Sequence, residues 1–172
     1  MKKEHQYNKE LIDRAKKIKL LLMDCDGVLT DGRLYFTERG EEIKVFHVRD
    51  GQGLSEWHQS GYESGIISGR SSLIVKKRAT ELGIKYVKIG SRNKVRDLQK
   101  ILDEIKVSYK EVAYVGDDIP DIPVLKLVGL PIAVADAEPE VLNECAYITG
   151  AKGGLGAIRE VVRLILLAKK DE

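Results

Sequence analysis

Short apolar runs alternate with amphipathic stretches along the chain from about residue 18 onward. The runs at 18–23, 64–67, 86–89, 112–115, 132–134 and 147–149 have the form of strands buried on both faces of a parallel sheet. Between them, residues 53–59, 71–82, 93–105, 119–126, 139–145 and 155–169 carry helical patterning. Strand then helix, repeated, predicts an α/β fold in which a doubly wound parallel sheet makes a single domain over 1–172. One segment breaks the alternation. Leu34-Tyr35-Phe36 and Ile43-Lys44-Val45-Phe46 flank a polar link containing Gly40, which predicts a β-hairpin over about 33–48, projecting from the sheet. The first 17 residues place Leu11, Ile12 and Ala15 among many charges, as in a short leading helix on the surface.

Composition narrows the function classes. With 172 residues, 43% hydrophobic and 33% charged, the chain fits one soluble domain and excludes a multidomain machine. The 29 Lys+Arg against 27 Asp+Glu are too balanced for affinity built on nucleic-acid phosphates, so no nucleic acid is expected as partner. Cys25 and Cys145 form no CxxC pair, which excludes a thiolate zinc site and favours a reducing cytoplasm. Met1-Lys2-Lys3 is basic, but charges and then Asp24 and Asp26 follow it rather than an apolar segment, so no export signal is expected. The apolar stretch at 161–168 is interrupted by Arg163 and is far shorter than the roughly 20 residues of a membrane span.

In an open parallel sheet, reactive groups gather beyond the carboxyl ends of the strands. There the sequence puts Asp24-Cys25-Asp26-Gly27, Ser68-Gly69-Arg70, Gly90-Ser91-Arg92-Asn93-Lys94 and Gly116-Asp117-Asp118. Asp24 and Asp26, two apart, emerge on one side and turn Cys25 into the core. Like charges that close need a divalent cation, and all-oxygen ligation by Asp24, a backbone carbonyl and Asp117 suits Mg²⁺. Lys94, the Ser68 hydroxyl and the Gly69 amide then cradle a tetrahedral dianion, and phosphate is its natural occupant. In that arrangement Asp24 attacks phosphorus to form an aspartyl-phosphate, while Asp26 serves as general acid and then base.

Structural readings of the same residues stand beside these. Ser68-Gly69 also suits a helix N-cap, and Lys94 a solvated helix position. His47 falls in an alternating strand pattern, as a hairpin surface residue does. Arg49, Arg70 and Arg78 suit surface ion pairs. Asp118 and Asp121 either orient Lys94 and the metal or cap the next helix.

Asp24-Cys25-Asp26-Gly27-Val28-Leu29-Thr30, Ser68-Gly69-Arg70, Lys94 and Gly116-Asp117-Asp118-Ile119-Pro120-Asp121 together resemble the four ordered motifs of the haloacid dehalogenase superfamily. Members usually carry a cap domain, but here hairpin, helix and strand fill the interval from Asp26 to Ser68, and one helix and one strand that from Lys94 to Asp117. A capless form is expected. Val28-Leu29-Thr30-Asp31-Gly32, the hairpin, His47-Val48-Arg49-Asp50-Gly51 and Gly153-Gly154-Leu155-Gly156-Ala157-Ile158-Arg159-Glu160 resemble the 3-deoxy-D-manno-octulosonate 8-phosphate phosphatases.

That resemblance implies a Mg²⁺-dependent phosphatase of lipopolysaccharide-precursor synthesis, acting on a small anionic sugar phosphate. It implies a homotetramer whose sites are completed by neighbouring subunits. Asp24, the Asp26 backbone carbonyl and Asp117 would ligate the metal. Asp26, His47, Val48, Arg49, Asp50, Gly51, Arg70, Arg78 and Lys94 would line the substrate site, with Asp24, Asp26, Ser68 and Lys94 catalytic. The tail from about 153 would reach toward an adjacent site as a mobile lid. Ser55 departs from the pattern, since many members have Arg or Lys there. The rival readings are a phosphatase of a nine-carbon sugar-acid 9-phosphate or of a nucleic-acid end, and, from another class, a receiver-type phospho-aspartate switch. Receiver domains put the acceptor on a middle strand, whereas here the first strand bears Asp24 and Asp26.

Overall fold

The computed structural model describes residues 8–170. The basic start at Met1-Lys2-Lys3 lies outside the described residues. Strand β1 (Leu20–Met23) is central and fully buried, which is why it reads as an unbroken apolar run. It pairs in parallel with β4 (Glu63–Ser68) on one side and β6 (Val112–Gly116) on the other. β5 (Tyr86–Ile89) extends the sheet beyond β4, while β7 (Leu130–Ala133) and β8 (Tyr147–Ile148) extend it beyond β6. The resulting order, β5-β4-β1-β6-β7-β8, is the expected doubly wound sheet.

The hairpin is present as a separate two-stranded ribbon, β2 (Tyr35–Phe36) and β3 (Glu42–Ile43). It is shorter than the apolar pattern predicts, because the chain leaves the ladder at Lys44. Leu34, Phe36, Ile43 and Val45 point outward, about half exposed.

The helices are α1 (Lys9–Lys16), α2 (Val48–Gln59), α3 (Leu73–Glu81), α4 (Lys94–Ile105), α5 (Ile122–Leu125), α6 (Pro139–Leu142) and α7 (Ala157–Lys170). A 3-10 turn at Ile119–Asp121 precedes α5, so the helix expected from residue 119 begins later. α1 and α2 pack on α7, and α4 packs on α5. The leading helix is therefore not merely on the surface: it buries Leu11 and Ala15. α2 starts five residues before its expected beginning. Gly51 and Gly53 weaken its helical signal, yet packing requires Gly53, since a Cβ there would lie 2.8 Å from the Arg159 Cα.

The segment from Gly153 corrects the expectation of a mobile lid. Gly153 and Gly154 lie against the loop after β1: a Cβ on Gly153 would lie 1.7 Å from the Gly27 carbonyl oxygen, and the Gly154 amide donates to the Val28 carbonyl at 2.9 Å. α7 then buries Ile158, Val161, Val162, Leu164 and Ile165. This part of the chain is core. Among the described residues, no helix is long and apolar enough to cross a membrane.

Candidate active site

The loop after β1 is wound tightly. The Asp24 amide donates to the Val115 carbonyl at 3.0 Å, continuing the sheet, and the Cys25 carbonyl then accepts from Val28, Leu29 and Thr30. Cys25 is buried as expected, and burial pushes its thiol up to about 12, leaving it unreactive. The Asp24 carboxylate accepts from the Cys25 amide at 2.6 Å and from Lys94 Nζ at 2.8 Å. Lys94 arrives there because Asn93 caps α4, its side chain accepting from the Arg96 amide, so that Lys94 opens the helix.

Asp121 is the organiser that the sequence left ambiguous. Fully buried, it accepts from Lys94 at 2.7 Å and from the Tyr114 hydroxyl at 2.6 Å through Oδ1, and from the amides of Asp117 and Asp118 through Oδ2. Asp118 caps the 3-10 turn, accepting from the Ile119 amide at 2.7 Å. The two readings thus divide between the two residues. Ser68, buried, ends β4, and its carbonyl accepts from the Ser91 amide, which ties the Ser68-Gly69-Arg70 loop to the loop that delivers Lys94.

Asp24, Asp117 and Asp121 bring carboxylate oxygens within 4.8 Å of one another, and Lys94 pairs with Asp24 and Asp121. Burial and then the Asp121 charge push the Asp24 carboxyl to about 6, against the pull of Lys94. Burial, then Asp24 and Asp121, push Asp117 to about 8. Asp117 Oδ1 is buried and has no hydrogen-bond partner. A buried carboxylate oxygen without a donor, in a cluster of excess negative charge, is what a divalent cation corrects, so these residues fit Mg²⁺. Asp24 and Asp121 each already accept through both carboxylate oxygens, so the unpartnered oxygen of the cluster is Asp117 Oδ1.

A match to the haloacid dehalogenase-like hydrolase family covers residues 87–159. Over 165 residues the chain is 44% identical to the Escherichia coli (strain K12) 3-deoxy-D-manno-octulosonate 8-phosphate phosphatase KdsC, covering 95% of this chain and 88% of that protein. The chain belongs to the 3-deoxy-D-manno-octulosonate 8-phosphate phosphatase family. The crystal structure of the Yersinia pestis phosphatase of that name superposes with a TM-score of 0.93 at 43% identity, covering 94% of this chain and 88% of that one. The Moraxella catarrhalis phosphatase, solved with a magnesium ion, a phosphate ion and a KDO molecule, superposes with a TM-score of 0.93 at 39% identity, covering 96% and 95%.

The 3-deoxy-D-manno-octulosonate 8-phosphate phosphatase motifs distribute unevenly over this structure. Asp24, Asp26, Arg70 and Asp117, on the loops after β1, β4 and β6, stand with Ser68 at the end of β4 and Lys94 at the start of α4, beyond the carboxyl ends of the strands. His47, Asp50 and Gly51 line a small cavity with Arg78 and with Leu29 of the loop after β1. His47 is not in a strand: it caps α2, Nδ1 accepting from the Arg49 amide at 3.1 Å. Val48 is exposed. Arg49 borders an open cleft of about 970 Å³ with Tyr147, Arg159 and Arg163, whose lining includes none of the carboxylates of the Asp24 cluster. Asp50, expected as a substrate contact, is buried and takes the Gly156 amide at 3.2 Å and the Arg159 amide at 3.0 Å, so its side chain serves the start of α7. Gly51 leaves room for Arg78, whose Nη2 would lie 2.8 Å from a Cβ there. Arg78 pairs with Glu81 at 2.9 Å and lies over the Phe46 ring.

Sequence reading passed over two residues at this edge, Lys44 and Glu42. Lys44 Nζ donates to Asp26 Oδ1, and Glu42 lies within 3.3 Å of Lys44 and 2.9 Å of Arg70. Burial alone would lower the Lys44 ammonium, but the hydrogen bond and charge of Asp26 raise it overall. The available signal was the alternation Glu42-Ile43-Lys44-Val45, polar on one side and apolar on the other.

Proposed function

We propose that the chain hydrolyses 3-deoxy-D-manno-octulosonate 8-phosphate, in the presence of Mg²⁺, to the free sugar acid and inorganic phosphate. The observation that carries the reading is the Asp24–Lys94 pair set beside Asp117 and its unpartnered buried oxygen. Asp24, Asp117 and the Asp26 carbonyl would hold the ion. When bound, Mg²⁺ neutralises the carboxylate cluster and draws negative charge from the phosphate oxygens.

The chain's own groups carry the steps. Asp24 attacks phosphorus, the bond from phosphorus to the sugar oxygen breaks, and Asp26 gives its proton to the departing alkoxide. Water then attacks the aspartyl-phosphate, Asp26 takes its proton, and the Asp24 carboxylate is restored with release of phosphate. Lys94 and the Ser68 hydroxyl offset the charge that develops on the phosphoryl oxygens. Asp121 keeps Lys94 aimed at Asp24. Arg70, 43% exposed at its side chain beside Asp26, supplies a fixed cation to the sugar acid.

The half-exposed Leu34, Phe36, Ile43 and Val45 support assembly into a homotetramer through the hairpin, because a two-stranded ribbon does not bury such surface alone. His47, Val48, Arg49, Gly51 and Arg78 then complete a substrate site across subunits. The free thiols of Cys25 and Cys145 accord with a cytoplasmic setting.

Phosphate release with Mg²⁺ across sugar-acid phosphates, hexose phosphates, nucleotides and DNA ends, beside Asp24→Asn, tests the reading. Preference for the eight-carbon acid, abolished in the variant and by EDTA, is expected. Preference for a nine-carbon acid would leave the chemistry and overturn the substrate. Stable phosphorylation without turnover would make the protein a switch.

A further inference from the structure

The reaction asks one carboxyl, that of Asp26, first to give a proton and then to take one. A freely turning carboxyl would present either oxygen to the substrate, so its orientation has to be fixed by a neighbour.

That neighbour is on the hairpin. Lys44 Nζ donates to Asp26 Oδ1, and the Lys44 side chain is only 3% exposed. Asp26 Oδ2 is treated differently: its charged neighbour is Arg70 Nη1 at 3.8 Å, beyond hydrogen-bond reach. Lys44 is itself held from the far side by Glu42, whose Oε1 lies 3.3 Å from it. Glu42 is in turn anchored to Arg70 Nη2 at 2.9 Å and accepts from the Ser72 hydroxyl at 3.0 Å, at the entry to α3. Two anions and two cations thus alternate between the hairpin, the loop after β1 and the loop after β4. Stability alone is a weak reason for this arrangement, since an apolar side chain of similar volume often serves a buried position as well as an ion pair does.

We propose that Lys44 is a positioning residue for Asp26, fixing Oδ1 so that Oδ2 is the oxygen that exchanges the proton. The proton leaves Oδ2 for the sugar alkoxide as the phosphorus–oxygen bond breaks, and a proton from the attacking water returns to the same oxygen. The inference rests on the phosphatase reading above and adds a residue to it.

The test is leaving-group dependence. The kcat/KM of a phosphatase that works through a covalent intermediate reports steps up to departure of the alcohol. A sugar alkoxide needs a proton at that point, whereas 4-nitrophenolate does not. Wild type, Lys44→Met and Lys44→Arg are compared with Mg²⁺ on 3-deoxy-D-manno-octulosonate 8-phosphate and on 4-nitrophenyl phosphate. Lys44→Met is expected to lose on the order of 10²-fold on the sugar ester, the lower range for a positioned acid, and only about threefold on the aryl ester. The loss should fall in kcat more than in KM, and Lys44→Arg should recover most of it. Should Lys44→Met fail to fold, Glu42→Gln, which loosens Lys44 from the other side, is expected to show the same selectivity with smaller size. Equal losses on both esters would make Lys44 a structural or phosphate-binding residue and overturn the inference, as would no loss on either. A wild type that hydrolyses neither ester would overturn the phosphatase reading itself, and this inference with it.

Discussion

The backbone of Gly27 lies so close to the Asp117 carboxylate that a Cβ on Gly27 would sit 1.8 Å from Oδ2. Gly27 also has φ +85°, a conformation that side chains disfavour. The loop after β1 therefore sets the position of a carboxylate on the loop after β6. Gly27→Ala is expected to displace Asp117 and to weaken Mg²⁺ binding by at least tenfold in a calorimetric titration, while circular dichroism shows an intact fold. Unchanged affinity would mean that Asp117 does not hold the ion.

Asp24 and Asp117 make metal binding depend on pH. Their carboxyls stand at about 6 and about 8, above their ordinary value of 3.8, so between those limits the folded chain binds more protons than the unfolded one. The stability they contribute is thus present at low pH and lost as pH rises through about 8. Mg²⁺ takes the place of those protons, so its stabilisation should grow in the same direction. The rise in thermal midpoint caused by Mg²⁺, measured against EDTA, is expected to be larger near pH 8 than near pH 6. Equal rises would contradict the charge balance drawn for this cluster.

Asp50 is assigned to the fold by its bonds to the Gly156 and Arg159 amides. Asp50→Ala should cost about 1–2 kcal/mol, a fall of roughly 2–8 °C in the midpoint of a thermal scan. A stable variant with a raised KM would return Asp50 to the substrate site.

The outward side of the hairpin predicts association. Phe36 and Val45 are each 57% exposed. Wild type is expected to sediment as a tetramer, and a Phe36→Asp, Val45→Asp double variant as a smaller species with reduced activity. A fully active wild-type monomer would remove the shared site.

Much of this was legible in the chain. That Asp24, Ser68, Lys94 and Asp117 stand at one edge of the sheet was legible because each lies at or shortly after the end of an apolar run, and a parallel sheet gathers its strand ends there. The start of α2 was not legible, since Gly51 and Gly53 conceal a helix whose close approach to Arg159 and Arg78 demands glycine. Asp50 resembled a substrate contact because its partners, Gly156 and Arg159, lie far along the chain and meet it only in the fold. Lys44 was hidden for the same reason, as one lysine among many whose partner Asp26 is reached only when the hairpin folds back. Asp118 and Asp121 looked interchangeable until Tyr114 and Lys94 distinguished the buried one.

The central claim is that Asp24 carries the phosphoryl group. Asp26→Asn is suited to show it, because 4-nitrophenolate departs without a proton while the hydrolysis that follows lacks its base. Reacted with 4-nitrophenyl phosphate and Mg²⁺, quenched in acid and digested, this variant is predicted to carry a phosphoryl adduct on the peptide containing Asp24, absent in the Asp24→Asn, Asp26→Asn double variant. An adduct on another residue, or turnover with no adduct at all, would contradict the account.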